Sequence, residues 1–240
     1  MRLTYIYHSG FAIEADGYAV LIDYFKDTGK SPDKGFVHED ILNRAGTLYV
    51  LSSHFHPDHF NAEVLQWKKY KKDIVYIFSK DILKRHRATK EDAIYLKKGD
   101  VYEDHNLHIE AFGSTDVGIS FLIKAEDKLI FHAGDLNNWH WKDESTQKEV
   151  TDAEKAYLKE LDDLTKRTTE LDLAMFPVDP RIGTDFMRGA QQFIDRIKTS
   201  IFVPMHFWER PSDVVVFGPY AESKGTRYVL LSIPGEGTDF

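Results

Sequence analysis

The chain has 240 residues, of which 42% are hydrophobic, and this is enough to bury a sizeable core. Its 31 lysines and arginines against 39 aspartates and glutamates give a net charge of -8, which argues against long nucleic acids and anionic membrane surfaces as partners. The absence of cysteine excludes disulfides, thiolate nucleophiles and thiolate metal ligands, so any metal must bind nitrogen and oxygen atoms.

The N-terminal sequence carries neither a long apolar stretch nor a small-residue cleavage site, and no 18-residue apolar run occurs in the chain. We therefore expect a cytoplasmic protein without a membrane span. A chain of this length could form one large α/β domain or two small ones. Because no repeat, low-complexity tract or linker divides the sequence, we predict a single domain over residues 1–240.

The first third of the chain is predicted to be mainly sheet. Alternating apolar and polar residues from Leu3 to Asp23 predict antiparallel strands joined by tight turns. Apolar, β-branched runs at 47–54 and 73–78 flank a stretch with helical spacing. The polar sequence HFHPDH, residues 54–59, is therefore expected at the C-terminal end of a strand.

The remainder of the chain is predicted to alternate between strands and helices. Two amphipathic helices are expected at 151–167 and 185–197, the second with Thr184 as its N-cap. Strands are expected at 107–112, 118–125, 128–134, 171–178, 200–205 and 227–233. Sheet therefore occurs in both halves of the chain, with helices packed on it.

The histidine-rich sequence at 54–59 has the residue types of a metal site. His54 and His56 are two apart on an extended segment, so both side chains can face one ion. Asp58 and His59 follow a proline that bends the chain, and this second pair can face a neighbouring point. Any one of them could be an ordinary loop residue, with Asp58 capping a helix near Phe60, but the four together favour metal binding.

This HxHxDH spacing resembles the signature of the metallo-β-lactamase-fold superfamily. In that superfamily an aspartate after a later strand bridges two metals, and IFHAGDLN supplies Asp135 there; FVPMHF likewise supplies His206 as the last metal histidine. The N-terminal YHSGFAIEADGYAVLIDYF resembles the branch that contains L-ascorbate-6-phosphate lactonases and many other hydrolases. The resemblance covers most of the chain and implies a four-layer αββα sandwich, an α/β fold with two mixed sheets.

The resemblance also implies a binuclear site, with two divalent ions that are zinc or manganese, iron being a further option. It assigns metal ligands as follows: His54 and His56 to the first ion, Asp58, His59 and His206 to the second, and Asp135 to the bridge. The third histidine of the family's first site is missing from IEAFGSTDVGISF. Either Asp116 takes its place or the GSTD sequence is only a turn.

Six further residues are candidate substrate contacts, each with an ordinary structural alternative: His8, His132, His140, Asp179, Arg181 and Arg188. His132 could instead be a buried, hydrogen-bonded histidine, and His140, between two tryptophans, could form a substrate-facing lip or pack a loop. Arg181 and Arg188 could grip a carboxylate or phosphate, or Arg181 could pair with Asp179. The remaining histidines, His38, His86, His105 and His108, are expected at the surface.

The resemblance therefore predicts a metal-dependent hydrolase. A metal-bound hydroxide would attack a small ester, lactone or phosphoester, and Asp58 would orient the water or carry its proton. The alternatives are a phosphodiesterase or nuclease-type hydrolase, or a non-catalytic metal-binding sensor, because the third histidine is missing. We expect a small-molecule substrate, no long nucleic acid and no membrane; a homo-oligomer is compatible with the resemblance.

Overall fold

The computed structural model describes residues 1–31 and 34–240. The chain divides into two compact units, each with one seven-stranded mixed sheet. Unit 1 comprises Met1–Lys97 and Leu231–Phe240, and unit 2 comprises Lys98–Leu230. The prediction of a single domain over residues 1–240 stays a prediction. No helix among the described residues is both long and apolar enough to cross a membrane.

The strands, in chain order, are β1 Arg2–Tyr7, β2 Gly10–Ala15, β3 Tyr18–Ile22, β4 Thr47–Ser52, β5 Ile74–Ser79, β6 Ile94–Leu96, β7 Val101–Glu103, β8 Leu107–Phe112, β9 Ser120–Ala125, β10 Lys128–His132, β11 Glu170–Pro177, β12 Lys198–Met205, β13 Arg227–Tyr228 and β14 Gly237–Asp239. The α-helices are α1 Phe36–Glu39, α2 Lys80–Lys84, α3 Gln147–Arg167, α4 Arg188–Ile194, α5 Pro211–Val214 and α6 Gly218–Ser223. Short 3-10 helices cover Ile41–Asn43, Ala62–Lys69, Pro180–Ile182 and Val215–Phe217.

The sheet of unit 1 has the order β14-β1-β2-β3-β4-β5-β6. Its first strands pair antiparallel, as the alternating N-terminal sequence predicts, whereas β3 to β6 are parallel. Because parallel strands end at the same edge of a sheet, the segments that follow β3, β4 and β5 come together there. This edge carries Asp23 after β3 and the HFHPDH sequence after β4.

The segment between β4 and β5 is a 3-10 helix, Ala62–Lys69, rather than the predicted α-helix. Its two buried side chains, Val64 and Trp67, are three residues apart, which places them on one side of a 3-10 helix. Asn61 caps it by accepting a hydrogen bond from the backbone N–H of Glu63. The ring of Trp67 lies edge-on to Tyr24 at 5.0 Å, so this short helix is held by the core of unit 1.

The sheet of unit 2 has the order β13-β12-β11-β10-β9-β8-β7, with β10 to β13 parallel and β7 to β10 antiparallel. The parallel strands again end at one edge, and three polar residues follow them: Asp135 after β10, Asp179 after β11 and His206 after β12. Each unit therefore gathers its candidate ligands by the same topological means.

The helices of unit 2 depart from prediction at their starts. Helix α3 begins at Gln147, before the predicted residue 151, because Thr146 and Glu149 form a capping box. Helix α4 begins at Arg188 instead of residue 185, since Asp185 adopts a left-handed φ of 63° that a helix cannot contain. Thr184 is therefore not its N-cap; the backbone N–H of Thr184 instead donates to Asp143.

The last predicted strand, 227–233, is also shorter than expected. Only Arg227–Tyr228 pairs, as β13 at the edge of unit 2. From Leu231 the chain belongs to unit 1, and the backbone N–H groups of Ser232 and Ile233 donate to the side chain of Glu236 in the turn before β14. The chain passes from unit 2 to unit 1 within the predicted strand 227–233. The apolar residues of this segment give no sign of that passage.

Candidate metal centre

In unit 1 the turn after β1 and the loop after β4 bring three potential ligands together. One ligand atom from each of His8, Asp58 and His59 lies within 4.8 Å of the others. The Nε2 atom of His8 is 3.3 Å from Oδ2 of Asp58, and both imidazoles are buried. His8, a candidate substrate contact by sequence, thus lies with two predicted metal ligands.

A buried carboxylate fixes the orientation of His59. Oδ2 of Asp23 is 2.7 Å from Nδ1 of His59, and Asp23 also accepts hydrogen bonds from the backbone N–H and hydroxyl of Ser53, at 2.7 and 2.6 Å. A carboxylate at Nδ1 keeps the proton there and leaves Nε2 as the electron-pair donor, which is the usual arrangement of a metal-binding histidine. Sequence reasoning missed Asp23, because its position directly after a strand is the only signal it carries and is shared by many ordinary aspartates.

His54 and His56 form the second group of unit 1. Nε2 of His54 is 3.1 Å from Nδ1 of His56, so the two imidazoles do face one point, as their spacing predicts. The Oγ atom of Ser53 is 3.0 Å from Nδ1 of His54. Between the histidines, the backbone N–H of Phe55 donates to Asp81 at 3.0 Å, which holds the loop in place.

Asp58 is ionised in this setting. Burial opposes its ionisation, but a hydrogen bond from His8 and the nearby imidazoles of His59 and His8 outweigh burial and hold the pKa of Asp58 well below its ordinary value. Its side chain keeps 22% exposure, so a small molecule can reach it. Asp58 therefore offers a carboxylate that accepts hydrogen bonds or binds a cation at neutral pH.

In unit 2 two aspartates and a histidine converge. Asp116 and Asp135 each have a carboxylate oxygen within 4.8 Å of the other, and Oδ1 of Asp135 is 3.4 Å from Nε2 of His206. The hydroxyl of Thr115 donates to the carbonyl of Asn137 at 2.6 Å, which ties the GSTD segment to the loop after β10. The GSTD segment is irregular, and it places the carboxylate of Asp116 close to that of Asp135. Two carboxylates so close favour a cation between them.

His206 has a carboxylate partner of the same kind as His59. Oδ2 of Asp179 is 2.9 Å from Nδ1 of His206, which leaves Nε2 on the side of Asp135. Burial opposes the ionisation of Asp179, but hydrogen bonds from His206 and Arg181 prevail and lower its pKa. Asp179, a candidate substrate contact by sequence, is fully buried, and it pairs with Arg181, whose Nη2 lies 2.6 Å from its Oδ2.

A cavity of about 290 Å³ lies within unit 2 beside these residues. Its lining consists of Thr115, Asp116, Asp135, Trp139, Trp141, Arg181 and His206. Four of these seven carry a charged or metal-ligating side chain and two are tryptophans. The cavity therefore combines polar chemistry with a large aromatic surface.

The other sequence candidates have different surroundings. His132 is buried in β10, and its Nδ1 accepts from the backbone N–H of Gly134 at 3.2 Å. His140 is also buried and contacts the carbonyl of Asp185; it lines, together with Arg188, a different concavity of unit 2. For these three residues, substrate contact stays a prediction.

His38 corrects one expectation: it is held between Asp27 and Glu63, at 2.7 and 2.6 Å, rather than free at the surface.

The donor atoms suit a divalent metal ion of borderline or hard character. They are imidazole nitrogens and carboxylate oxygens throughout, a combination that Zn²⁺, Mn²⁺ and Fe²⁺ accept. Two of the imidazoles are oriented by buried carboxylates, as metal-binding histidines generally are. The residues present therefore fit the metal that the sequence resemblance implies.

Comparisons with known proteins agree with this geometry. The family model of the beta-lactamase superfamily domain matches residues 2–154. A UPF0173 metal-dependent hydrolase of Methanopyrus kandleri is 25% identical over 98% of both chains. The structure of a metallo hydrolase from Ignicoccus hospitalis covers 100% of this chain and 98% of its own, with a TM-score of 0.69 and 18% identity.

A second solved structure shows the breadth of the fold. A diiron β-hydroxylase from Streptomyces venezuelae matches all of this chain over 54% of its own length, with a TM-score of 0.70 and 14% identity. The predicted metallo-β-lactamase-like α/β fold class is thus confirmed. With the matched family model and the His and Asp groups described above, the chain belongs to the beta-lactamase superfamily and is a metal-dependent hydrolase.

Proposed function

We propose that the protein hydrolyses a small ester, lactone or phosphoester at a centre of two divalent ions, zinc, manganese or iron. The observation that carries the proposal is the pair of strand-end carboxylates: Asp23 fixes Nδ1 of His59, and Asp179 fixes Nδ1 of His206. A metal-binding histidine almost always donates its other ring N–H to a carboxylate, a carbonyl or water, and both of these candidate ligands have such a carboxylate. The lactone option rests on the N-terminal resemblance described above.

The ligand assignment is part of the proposal. It keeps the one made from sequence: His54 and His56 for the first ion, Asp58, His59 and His206 for the second, Asp135 as the bridge and Asp116 in place of the missing histidine. The proximity of His8 to Asp58 supports His8 as an additional nitrogen donor for the second ion. Compared with the pattern that the resemblance implies for the family, this assignment has one imidazole fewer at the first ion and one more at the second.

A divalent ion held by such donors would lower the pKa of a bound water toward about 7 and would polarise the oxygen of the bond under attack. The chain's own carboxylate at Asp58 orients the attacking water. Because its pKa lies well below the ordinary value, Asp58 is a weak proton acceptor, and it acts mainly by accepting a hydrogen bond. In the balanced reaction, the water oxygen replaces the leaving oxygen on the acyl or phosphoryl centre, one proton goes to the leaving oxygen, and the acid product releases the other.

Metal content per chain tests the proposed centre directly. We expect about two ions in protein purified without chelator and about one in Asp116→Ala, measured by elemental analysis. Asp127→Ala, in the exposed turn between β9 and β10, is the matched control and should keep both ions. About one ion in both the wild type and Asp116→Ala would contradict the binuclear centre and favour the sensor.

Activity separates the candidate substrate classes. Metal-loaded protein should hydrolyse simple aryl acetates or γ-lactones, and Asp58→Asn should reduce kcat by about 100-fold if the carboxylate positions the water. Activity on bis(p-nitrophenyl) phosphate alone would favour a phosphodiesterase. Full activity of Asp58→Asn would remove the proposed role of this residue. If the metal-loaded protein hydrolysed no ester, lactone or phosphoester, the non-catalytic sensor would be the remaining alternative.

A further inference from the structure

Two near-parallel tryptophans form an aromatic wall of the cavity in unit 2. The rings of Trp139 and Trp141 lie 14° from parallel, with their centroids 6.3 Å apart, and both residues line the cavity and are half-buried. Aromatic rings interact favourably with other aromatic rings, in offset-stacked or edge-to-face arrangements. The wall therefore offers the kind of surface on which a planar aromatic group can pack.

This wall is fixed relative to the candidate ligands of the same unit. The indole N–H of Trp139 donates to the backbone carbonyl of Asp135 at 2.8 Å, and its ring meets the imidazole of His206 edge-on, with centroids 5.5 Å apart. Asp135 and His206 line the cavity as well. A group resting on the wall would therefore lie beside the atoms that the proposed function uses.

The backbone at Trp141 supports a role beyond packing. Trp141 has a φ of 41°, in the left-handed region that bulky side chains rarely adopt. Its carbonyl accepts hydrogen bonds from the backbone N–H groups of Glu144 and Ser145, both at 2.9 Å, and these hold the strained conformation. Strained residues are concentrated at functional sites, and a tryptophan that only filled space would not need one.

Arg181 is the cationic side chain in the lining, but Asp179 already engages both its Nε and its Nη2, which offsets its charge. The indoles of Trp139 and Trp141 are the apolar part of this lining, and they are therefore the surface that an organic substituent would contact.

We propose that this cavity binds a planar aromatic group of the substrate, so that the protein acts on aryl esters or aryl-bearing lactones. The ring lies against Trp139 and Trp141, and the scissile bond lies toward Asp135 and His206. A volume of about 290 Å³ is at the small end for ligand sites, which suits a single ring with its ester group. The reaction rests on the proposed function; the aromatic site is a separate claim about binding.

Steady-state kinetics on the metal-loaded protein tests the preference. Phenyl acetate and ethyl acetate share an acyl group and differ in the ring, so the effect of each variant is compared between the two. We expect Trp141→Ala to raise KM for phenyl acetate about 10-fold with little change in kcat, and to raise KM for ethyl acetate by a much smaller factor, because only phenyl acetate has a ring to lose its contact. Trp141→Phe, which keeps a flat ring, should restore most of the loss, and Tyr70→Ala, at an exposed position in unit 1, should have no effect.

Binding of phenol, measured by calorimetry on the same proteins, separates the two claims. We expect saturable binding to the wild type that weakens about 10-fold in Trp141→Ala and recovers in Trp141→Phe. If no ester, lactone or phosphoester is hydrolysed but phenol binding follows this pattern, the proposed function fails and the aromatic site stands. Hydrolysis with equal effects of Trp141→Ala on both esters, or phenol binding that Trp141→Ala leaves unchanged, would overturn the aromatic site.

Discussion

Asp23 and Asp179 each follow a parallel strand and hold the Nδ1 atom of a histidine, one in each unit. Both are fully buried, and each accepts further hydrogen bonds: Asp23 from Ser53 and Asp179 from Arg181. These donors pair carboxylate oxygens that would otherwise be buried without a partner. At the residue scale, two candidate metal ligands are thus oriented by carboxylates outside the proposed ligand set.

Replacement of Asp179 by asparagine should weaken metal binding at His206. The amide cannot hold the Nδ1 proton as a carboxylate does, and loss of such partners typically costs about 10- to 100-fold in metal affinity. Competition with a fluorescent chelator measures the change. Asp213→Asn, which alters an exposed aspartate paired with Arg210, is the control and should keep wild-type affinity. Equal affinities for all three proteins would exclude the orienting role.

Asp27 should contribute to the acid sensitivity of folding. Its burial raises the pKa, but hydrogen bonds from the backbone of Val37 and from His38 outweigh it, so the folded pKa lies below that of the unfolded chain. The resulting stability is complete above the unfolded value of about 3.9 and is lost as pH falls through the folded pKa.

Urea unfolding between pH 7 and pH 2.5 measures this contribution. Asp27→Asn should lower the free energy of unfolding by about 1–2 kcal/mol at pH 7 and reduce its decline in acid. Asp239→Asn, at a largely exposed carboxylate, serves as the control. A parallel decline in Asp27→Asn and the wild type would show that Asp27 is not responsible.

At the scale of elements, the parallel ends of the two sheets decide where the polar residues gather. The order of strands around HFHPDH and the strand-end positions of Asp135 and His206 follow from apolar runs and a motif, so they could be predicted. Asp23 could not, because a single aspartate after a strand has many ordinary roles. The 3-10 form of Ala62–Lys69 and the late start of α4 depend on core contacts and on one left-handed residue, which local sequence does not specify.

The turn between β2 and β3 lies so close to Gly46, the residue before β4, that a side chain at that position would clash with it. Gly46 has a φ of +87°, and a Cβ there would lie 1.9 Å from the carbonyl oxygen of Gly17. Gly17 has a similar φ of +78° but open space around its Cβ position. The two glycines thus form a matched pair that separates backbone strain from steric overlap.

Alanine at Gly17 should cost about 1–2 kcal/mol of stability, from left-handed strain alone. Alanine at Gly46 should cost about 3 kcal/mol or more, because the clash with backbone adds to the same strain. Chemical denaturation of both variants measures the difference. If the two substitutions proved equally costly, the close approach of Gly46 to Gly17 would not hold in solution.

At the scale of the whole molecule, family membership says more about the reaction than the fold does. The family model covers most of the chain, whereas a diiron β-hydroxylase has the same fold at 14% identity. Fold alone therefore does not select hydrolysis, and the site must do so. The net charge of -8 adds a general reason for cation binding, because bound divalent ions relieve repulsion among carboxylates.

Removal of metal should lower the thermal stability of the protein. An ion present at about 100 times its Kd stabilises the folded state by about 2.7 kcal/mol, which for a chain of this size corresponds to a shift in Tm of roughly 5–10 °C. Differential scanning calorimetry with and without EDTA, followed by restoration with Zn²⁺ or Mn²⁺, measures the shift. Asp135→Asn should show a smaller response to EDTA. A Tm indifferent to chelator in the wild type would indicate that no ion contributes to the folded state.

Several residues around the candidate ligands share the backbone conformation of Trp141. His8, Asp23 and His206 all have left-handed φ values, between 50° and 64°. Glycine would relieve this strain at each position, yet it would remove a side chain that the site uses. These positions therefore keep a strained backbone because their side chains supply buried hydrogen bonds and proposed metal ligands. Glycine at any of them should lose turnover, and the relief of strain should not restore the stability that the lost hydrogen bonds and bound metal provided.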